Sequence, residues 1–219
     1  MTNLFSMFDP STSSLNLNWS IIMMPTILLM TTNKTSKMKM IFESIMKFLK
    51  KEIIPMLEKS KKNSSISLLM SLFFMLAFIN ITSLFPYNFT IASQISMSFP
   101  LALSLWLSFM ILGWMKNTKS MMAHLLPMGT PPALMSTMVL IELTSLMIRP
   151  ITLAVRLTAN MVAGHLLLNL LSSLTLYSIE MPILCSPALM ALTFLEIAVA
   201  MIQAFVFMTL IALYSTEIN

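Results

Sequence analysis

The sequence predicts an all-α integral membrane protein, and three observations carry that reading. Of its 219 residues 57% are hydrophobic, the mean hydropathy is +0.86 and only 10% are charged, too little polar surface to cover a soluble domain of this size. The apolar stretches are helix-length rather than ten-residue alternating strands, so the spans are helices and not a barrel. The lysines lie between the apolar stretches rather than within them. Residues 1–219 read as a single membrane domain. It has about five crossings and an amphipathic surface helix, and the last two helices form a long, strongly tilted hairpin.

The first apolar span is 15–32, LNLNWSIIMMPTILLMTT, just long enough to cross, with Pro25 as a kink. The start of the chain has no basic stretch before it, because the first lysine is Lys34. It reads neither as a secretory signal nor as an arginine-rich transit peptide. Segment 34–62 follows, with Met38, Ile41, Phe42, Ile45, Met46, Phe48 and Leu49 at helical spacing among lysines. That is an amphipathic helix lying in a membrane surface, its lysines a solvated face over anionic lipid.

Span 64–85 ends at Pro86, and a charge-free loop, PYNFTIASQ, leads to span 95–115. After Lys116 and Lys119 comes the turn-rich HLLPMGTPPA, where His124 suits a surface role as well as a functional one. From 133 to 174 the chain stays apolar for ~63 Å of helix, about twice the ~30 Å hydrocarbon core. One strongly tilted helix bent at Pro150 fits, with two short spans as the alternative. A loop at 176–187, containing Glu180, Pro182 and Pro187, precedes the last span, 188–214.

With five crossings, all eleven lysines fall on one side, nine in 34–62 and two at 116–119. By the positive-inside rule the N-terminus is outside and the C-terminus inside. Net charge is +5 and the pI is about 9.5. Nucleic acid is not the partner, because the lysines border membrane segments without interleaved aromatics. Cys185 is the one cysteine, which excludes an internal disulfide and a cysteine metal set. Asn18, Asn33, Asn63, Asn80 and Asn88 each begin an N-x-[ST] triplet. With no secretory signal in view these read as chance.

The chemistry concentrates in "RPITLAVRLTANMVAGHLLL", 149–168, which holds the only two arginines of the chain inside an apolar span. An arginine at the bilayer centre costs at least ~2.5–3.5 kcal/mol, and intramembrane ionisable groups mark ion pathways by default. Glu142, Arg149 and Arg156 are seven apart and Asn160 is four further on. On a helix these four form one polar stripe, with Ser145 and Thr152 nearby. His165 falls on the opposite face, ~13 Å beyond Arg156.

The last span carries Glu196, Gln203 and Tyr214 on one face, with small Ala200 between the first two. Folded as an antiparallel hairpin, the two spans bring His165 level with Glu196 and Arg156 level with Gln203. Glu142 lies ~21 Å from Arg156 toward the lysine side. This is a proton path in two halves with a permanent cation between them. Arginine does not deprotonate in a protein, so it relays nothing. It attracts a passing carboxylate by ~4 kcal/mol at ~4 Å and an effective dielectric of ~20, and that carboxylate belongs to another subunit. Arg149, beside Glu142, is also readable as a structural ion pair, and Tyr214 as an interfacial anchor.

The stretches AHLLPMGTP, AVRLTANMVAGHLLL and LEIAVAMIQAFVFMTLIALY closely resemble the subunit a family of mitochondrial ATP synthases. The resemblance runs from MTNLFSMFDPST to LYSTEIN, its arginine-to-histidine segment is highly specific, and its overall pattern is arthropod-like. The 25 methionines suit an animal mitochondrial code, in which a second codon is read as Met. The resemblance implies the stator half of a proton motor in the mitochondrial inner membrane. Its partners would be the c-ring subunits and other membrane subunits of the stator, in a lipid bilayer, and its transported ion the proton.

The N-terminus would lie in the intermembrane space and the C-terminus in the matrix. The family's essential arginine matches Arg156. Asn160 and Glu142 match residues of the matrix-side half-channel, His165 and Glu196 match the intermembrane-side half-channel, and Gln203 matches the glutamine facing the arginine. In bacterial relatives the His165 position is often acidic and the Glu196 position a histidine, the reciprocal swap that a coupled pair permits. Arg149 and Tyr214 are further candidates.

The resemblance implies no cofactor and no catalytic site for ATP chemistry, and the three glycines form no phosphate loop. The other class to weigh is a self-contained channel or antiporter, or a proton-pumping subunit of a respiratory complex. Such a chain should carry broken helices, lysine relays or internal repeats, and none is visible.

Overall fold

The computed structural model describes residues 5–11, 17–23, 36–55, 62–85, 88–116, 118–124, 134–175 and 181–217. Six α-helices run through them: α1 Ser36–Ile53, α2 Lys62–Ser83, α3 Ile95–Lys116, α4 Thr118–His124, α5 Met135–Leu174 and α6 Met181–Glu217. No strand occurs among the described residues. Helices are the form that satisfies every backbone group within one segment, as the bilayer demands. Four of them are long and apolar enough to cross, through 66–83, 95–115, 135–174 and 185–215. Within the expected first span, 15–32, the described part is a 3-10 turn at Leu17–Ile22 and Met23, and the rest lies outside the described residues.

Helix α1 buries Leu49 and Ile53 and packs Ile45 and Met46 against them, one contact per turn. Lys47, Lys50 and Lys51 are exposed. Phe48 is exposed too, so the face turned to the core is narrower than the heptad of apolar positions suggests.

Helix α2 is the centre of the bundle. Half of its apolar window is buried, against 11% for α3, 17% for α5 and 33% for α6. The other helices therefore leave broad apolar flanks for lipid or for neighbouring subunits. Helix α2 packs on α6, α3 packs on α5, and α5 packs on α6. Ala200, Ala204 and Ala212 of α6 are fully buried, small residues that let helix backbones approach closely. The charge-free loop after α2 folds inward. Phe89, Thr90, Ile91, Ala92 and Ser93 are buried, with the Ser93 hydroxyl donating to the Thr90 carbonyl at 2.6 Å. The N-terminal stretch docks nearby, Gln94 Nε2 donating to the Phe8 carbonyl at 2.7 Å.

Helix α5 is one piece of 40 residues, ~60 Å long, with Pro150 inside it and buried. Helix α6 has 37 residues and starts at Met181, seven before the expected 188. The reason is local. Pro182 sits in the first turn, where a missing N–H costs nothing. Pro187 cannot bond the Ile183 carbonyl, and the Ser186 hydroxyl reaches that region instead, donating to the same carbonyl at 3.2 Å. His124 closes the short helix α4 rather than sitting in a turn. Glu180 lies outside the described residues.

Candidate functional site

The 100° advance per residue fixes which α5 side chains share a face. Arg156 is exposed, on the face that it shares with exposed Thr152 and Ala159 and half-buried Asn160. A guanidinium thus stands on an outward face of α5. His165, on the other side of α5, is buried at 4% exposure. Ser145 and Thr152 add no free polar group to the stripe, since each hydroxyl donates within its own helix, to the Glu142 carbonyl at 2.8 Å and the Arg149 carbonyl at 2.9 Å. That local back-bonding is how a membrane helix satisfies hydroxyls without a neighbour.

The hairpin closes around Glu196, which is buried at 7% exposure. A Cβ built on Gly164 would lie 2.9 Å from Glu196 Oε1 and 3.1 Å from its Cδ, so α6 meets α5 through a carboxylate laid on a glycine. His165 is the next residue along. No hydrogen bond joins the imidazole to the carboxylate: His165 Nε2 and both Glu196 oxygens are buried and without a partner among the described residues. Glu196 also forms part of the wall of a cavity of about 180 Å³, together with Ile81, Leu84 and Phe85 from α2 and its loop, Leu168 of α5, and Thr193 and Ile197 of α6. That volume is large enough for several waters.

At the other end of the hairpin the Arg149 guanidinium lies over the Tyr214 ring, 5.5 Å from its centroid. These two residues, drawn from different helices, form a cation–π pair worth ~0.5–2 kcal/mol. Glu142, Asn160 and Gln203 are half-buried. No hydrogen bond links Arg156 to Gln203 among the described residues. The structure thus brings Glu196 to the level of His165 and Arg149 to Tyr214, and it leaves Arg156 facing outward.

Two residues were not singled out from the sequence. Gly164 is one of three glycines and carries no signal of its own. The sequence marks Asn80 only as the start of an N-x-[ST] triplet that reads as chance. It is fully buried, and its Nδ2 donates to the Ala200 carbonyl at 3.2 Å. The available signal was an amide inside an apolar span, which has to find a partner.

The profile of the family described as ATP synthase A chain matches residues 13–216. The chain is 47% identical to ATP synthase subunit a of Anopheles quadrimaculatus, the match covering all of both chains. It is equally similar, 47%, to the subunit a of Drosophila mauritiana, again over all of both chains. The subunit a of Locusta migratoria is 47% identical over all of this chain and 99% of its own. Such likeness over full length leaves the reading as a respiratory-complex subunit or a self-contained channel without support. The chain belongs to the ATP synthase subunit a family, the proton-conducting stator subunits of that complex, and is a multi-pass protein of the mitochondrial inner membrane.

Proposed function

We propose that Arg156 separates two water-filled half-channels that load and unload protons on carboxylates of a rotating c-ring. His165 and Glu196 serve the inlet from the intermembrane space. Asn160 and Glu142 serve the outlet to the matrix. Gln203 supports the arginine from α6. The N-terminus faces the intermembrane space and the C-terminus the matrix, with 15–32 as the remaining crossing. The observation that carries this reading is the opposed burial of the charged groups. Arg156 is exposed on an outward face of α5, where, in a bilayer, a partner's carboxylate or water relieves its cost. His165 and Glu196 are buried behind it.

Each ring carboxyl arriving at Arg156 is held ionised by a cation that never gives up its own proton. It therefore has to release its proton before it passes. The drive is the membrane itself, ~2.3 kcal/mol per charge per 100 mV, so several protons accumulate through rotation for each ATP.

The deciding experiment is Arg156→Gln in inner-membrane vesicles, with assembly verified first. Proton-driven ATP synthesis should vanish. Arg156→Lys should also fail largely, because a compact ammonium with a shiftable pKa replaces a permanent planar cation. Synthesis at the wild-type rate in the lysine variant would sink the permanent-cation argument. Orientation is tested separately. Cysteines introduced at Lys51 and Lys119 should react with an impermeant reagent from the matrix side alone, and labelling from the other side overturns the topology.

A further inference from the structure

We propose that the cavity beside Glu196 is a binding site for a small lipophilic primary amine, which enters from the bilayer, pairs its ammonium with the Glu196 carboxylate and so stops proton transfer at that residue. The binding rests on the cavity and its carboxyl alone. The block rests on reading Glu196 as part of the proton inlet.

The cavity measures about 180 Å³ and lies where α2, α5 and α6 meet. Ile81, Leu84, Phe85, Leu168 and Ile197 make its wall largely hydrocarbon. An apolar cavity of ~150 Å³ takes up benzene, so this one has room for a single six-membered ring with a short arm. Phe85 and Ile197 are 58% and 47% exposed. The rim is therefore apolar and reaches the surface, where a membrane protein meets hydrocarbon. A ring compound dissolved in the bilayer reaches the cavity past these two side chains.

The polar part of the wall decides the charge of the ligand. It consists of Thr193 and Glu196, three residues apart and neighbours on the surface of α6. Among the described residues no basic side chain lines the cavity. The Thr193 hydroxyl donates to the Met190 carbonyl at 2.8 Å, and its oxygen remains an acceptor. Both Glu196 oxygens are buried, Oε1 against Gly164, and neither has a hydrogen-bond partner among the described residues. No hydrogen bond tethers the carboxyl there, so a turn between staggered side-chain wells is free to carry it to the cavity side. A primary ammonium brings three donors to a site that offers acceptors, and its bond to a carboxylate is roughly twice as strong as a neutral one. An alcohol of the same shape brings one donor and no charge. An anion would set a second negative charge beside the carboxylate.

The proton balance is simple. The amine crosses the lipid in its neutral form and takes the carboxyl proton onto its nitrogen lone pair, leaving an ammonium against a carboxylate. No other bond forms or breaks. An alkylamine is a far stronger base than a carboxylate, so the proton stays on nitrogen.

The test uses the assembled complex in inner-membrane vesicles stripped of the ATP-hydrolysing sector, with benzylamine as the probe. Passive proton conductance is measured at equal pH on both sides, so that amine accumulation across a pH gradient plays no part. Benzylamine should halve the conductance at a concentration at least about tenfold below that of benzyl alcohol, its neutral isostere, the scale of one charge-assisted bond. This comparison needs the wild-type complex alone, and equal potency of the two compounds overturns the proposal. Binding is read separately, as saturation transfer by NMR from the detergent-solubilised complex to the ring protons of benzylamine. The saturable signal should be lost in Glu196→Gln and in Leu84→Phe, which fills the cavity and leaves the carboxyl in place. A signal that persists in either variant puts the amine elsewhere, in the micelle or on the c-ring carboxylates, and refutes the site. If binding depends on both residues yet conductance is untouched, the site stands and the inlet reading fails.

Discussion

Where Glu196 rests on Gly164, α5 and α6 enclose a carboxylate and an imidazole Nε2 that have no hydrogen-bond partner among the described residues. Fifteen residues back along α5, Arg149 lies over the Tyr214 ring and is provided for by this chain itself. Both places put ionisable groups in a membrane hairpin, yet they treat them in opposite ways. Desolvated polar groups without partners are costly, so a protein that keeps them buried and unpaired leaves them for water and protons to serve. A cation seated on an aromatic face is satisfied where it stands, and it fastens two helices. On the function proposed above, the Glu196 end serves transport and the Arg149 end closes the hairpin. Arg156, exposed between them, is satisfied by neither.

The sharpest way to break this contrast is at its unpaired end. Glu196→Gln removes a titratable group from the enclosed site and His165→Glu sets a second carboxylate near Glu196, and each should cut proton-driven ATP synthesis at least about tenfold, ~1.4 kcal/mol. No proton leak should open, because Arg156 still blocks the path. The double swap, His165→Glu with Glu196→His, should recover more activity than either of its single changes. A double variant no better than the worse single one would remove the shared inlet.

A smaller effect is expected from Gly164→Ala. The new Cβ would stand 2.9 Å from Glu196 Oε1, close enough to push the carboxylate off its rotamer at ~0.5–1.5 kcal/mol. Synthesis should slow a few-fold. The helix itself gains up to ~1 kcal/mol of propensity from the exchange, so thermal stability of the complex should not fall. A loss of stability with unchanged transport would reverse the assignment of this contact.

At the fastened end the expected changes are smaller still. Arg149→Gln should leave most transport intact in assembled complexes and lower resistance to detergent dissociation. If it proves as lethal to transport as Arg156→Gln, the gate has been drawn too narrowly. Tyr214→Phe keeps a ring for the guanidinium and should be nearly silent. Tyr214→Leu removes the ring and should cost ~1 kcal/mol of stability. Equal stability in the two variants would show that the ring face contributes nothing.

Much of this was legible before the fold. The apolar stretches at 64–85 and 95–115 agree with α2 and α3 to within two residues, because hydropathy and turn signals are local. The seven-residue spacing of the arginines and the opposite placement of His165 follow from helix geometry alone. The early start of α6 was hidden. Two prolines look like a loop until a first-turn position and a neighbouring serine hydroxyl accommodate them. Arg149 had two readings in sequence, and its seat on Tyr214 favours the structural one through a contact 65 positions away in the chain.

By itself the sequence determined that this chain lives in a membrane as helices, that 133–174 is too long for a simple crossing, and that its polar residues form stripes. Each of these follows from residue-by-residue properties repeated at fixed spacing. Only the tertiary structure decided which stripe members face outward and which are shut in. It exposed Arg156, buried His165 and Glu196, and set Asn80 against a carbonyl 120 residues away. The physical reason is that periodicity specifies a face but not its neighbour. Whether a polar group ends paired, hydrated or bare depends on which distant helix packs over it, and that choice is made by the bundle as a whole.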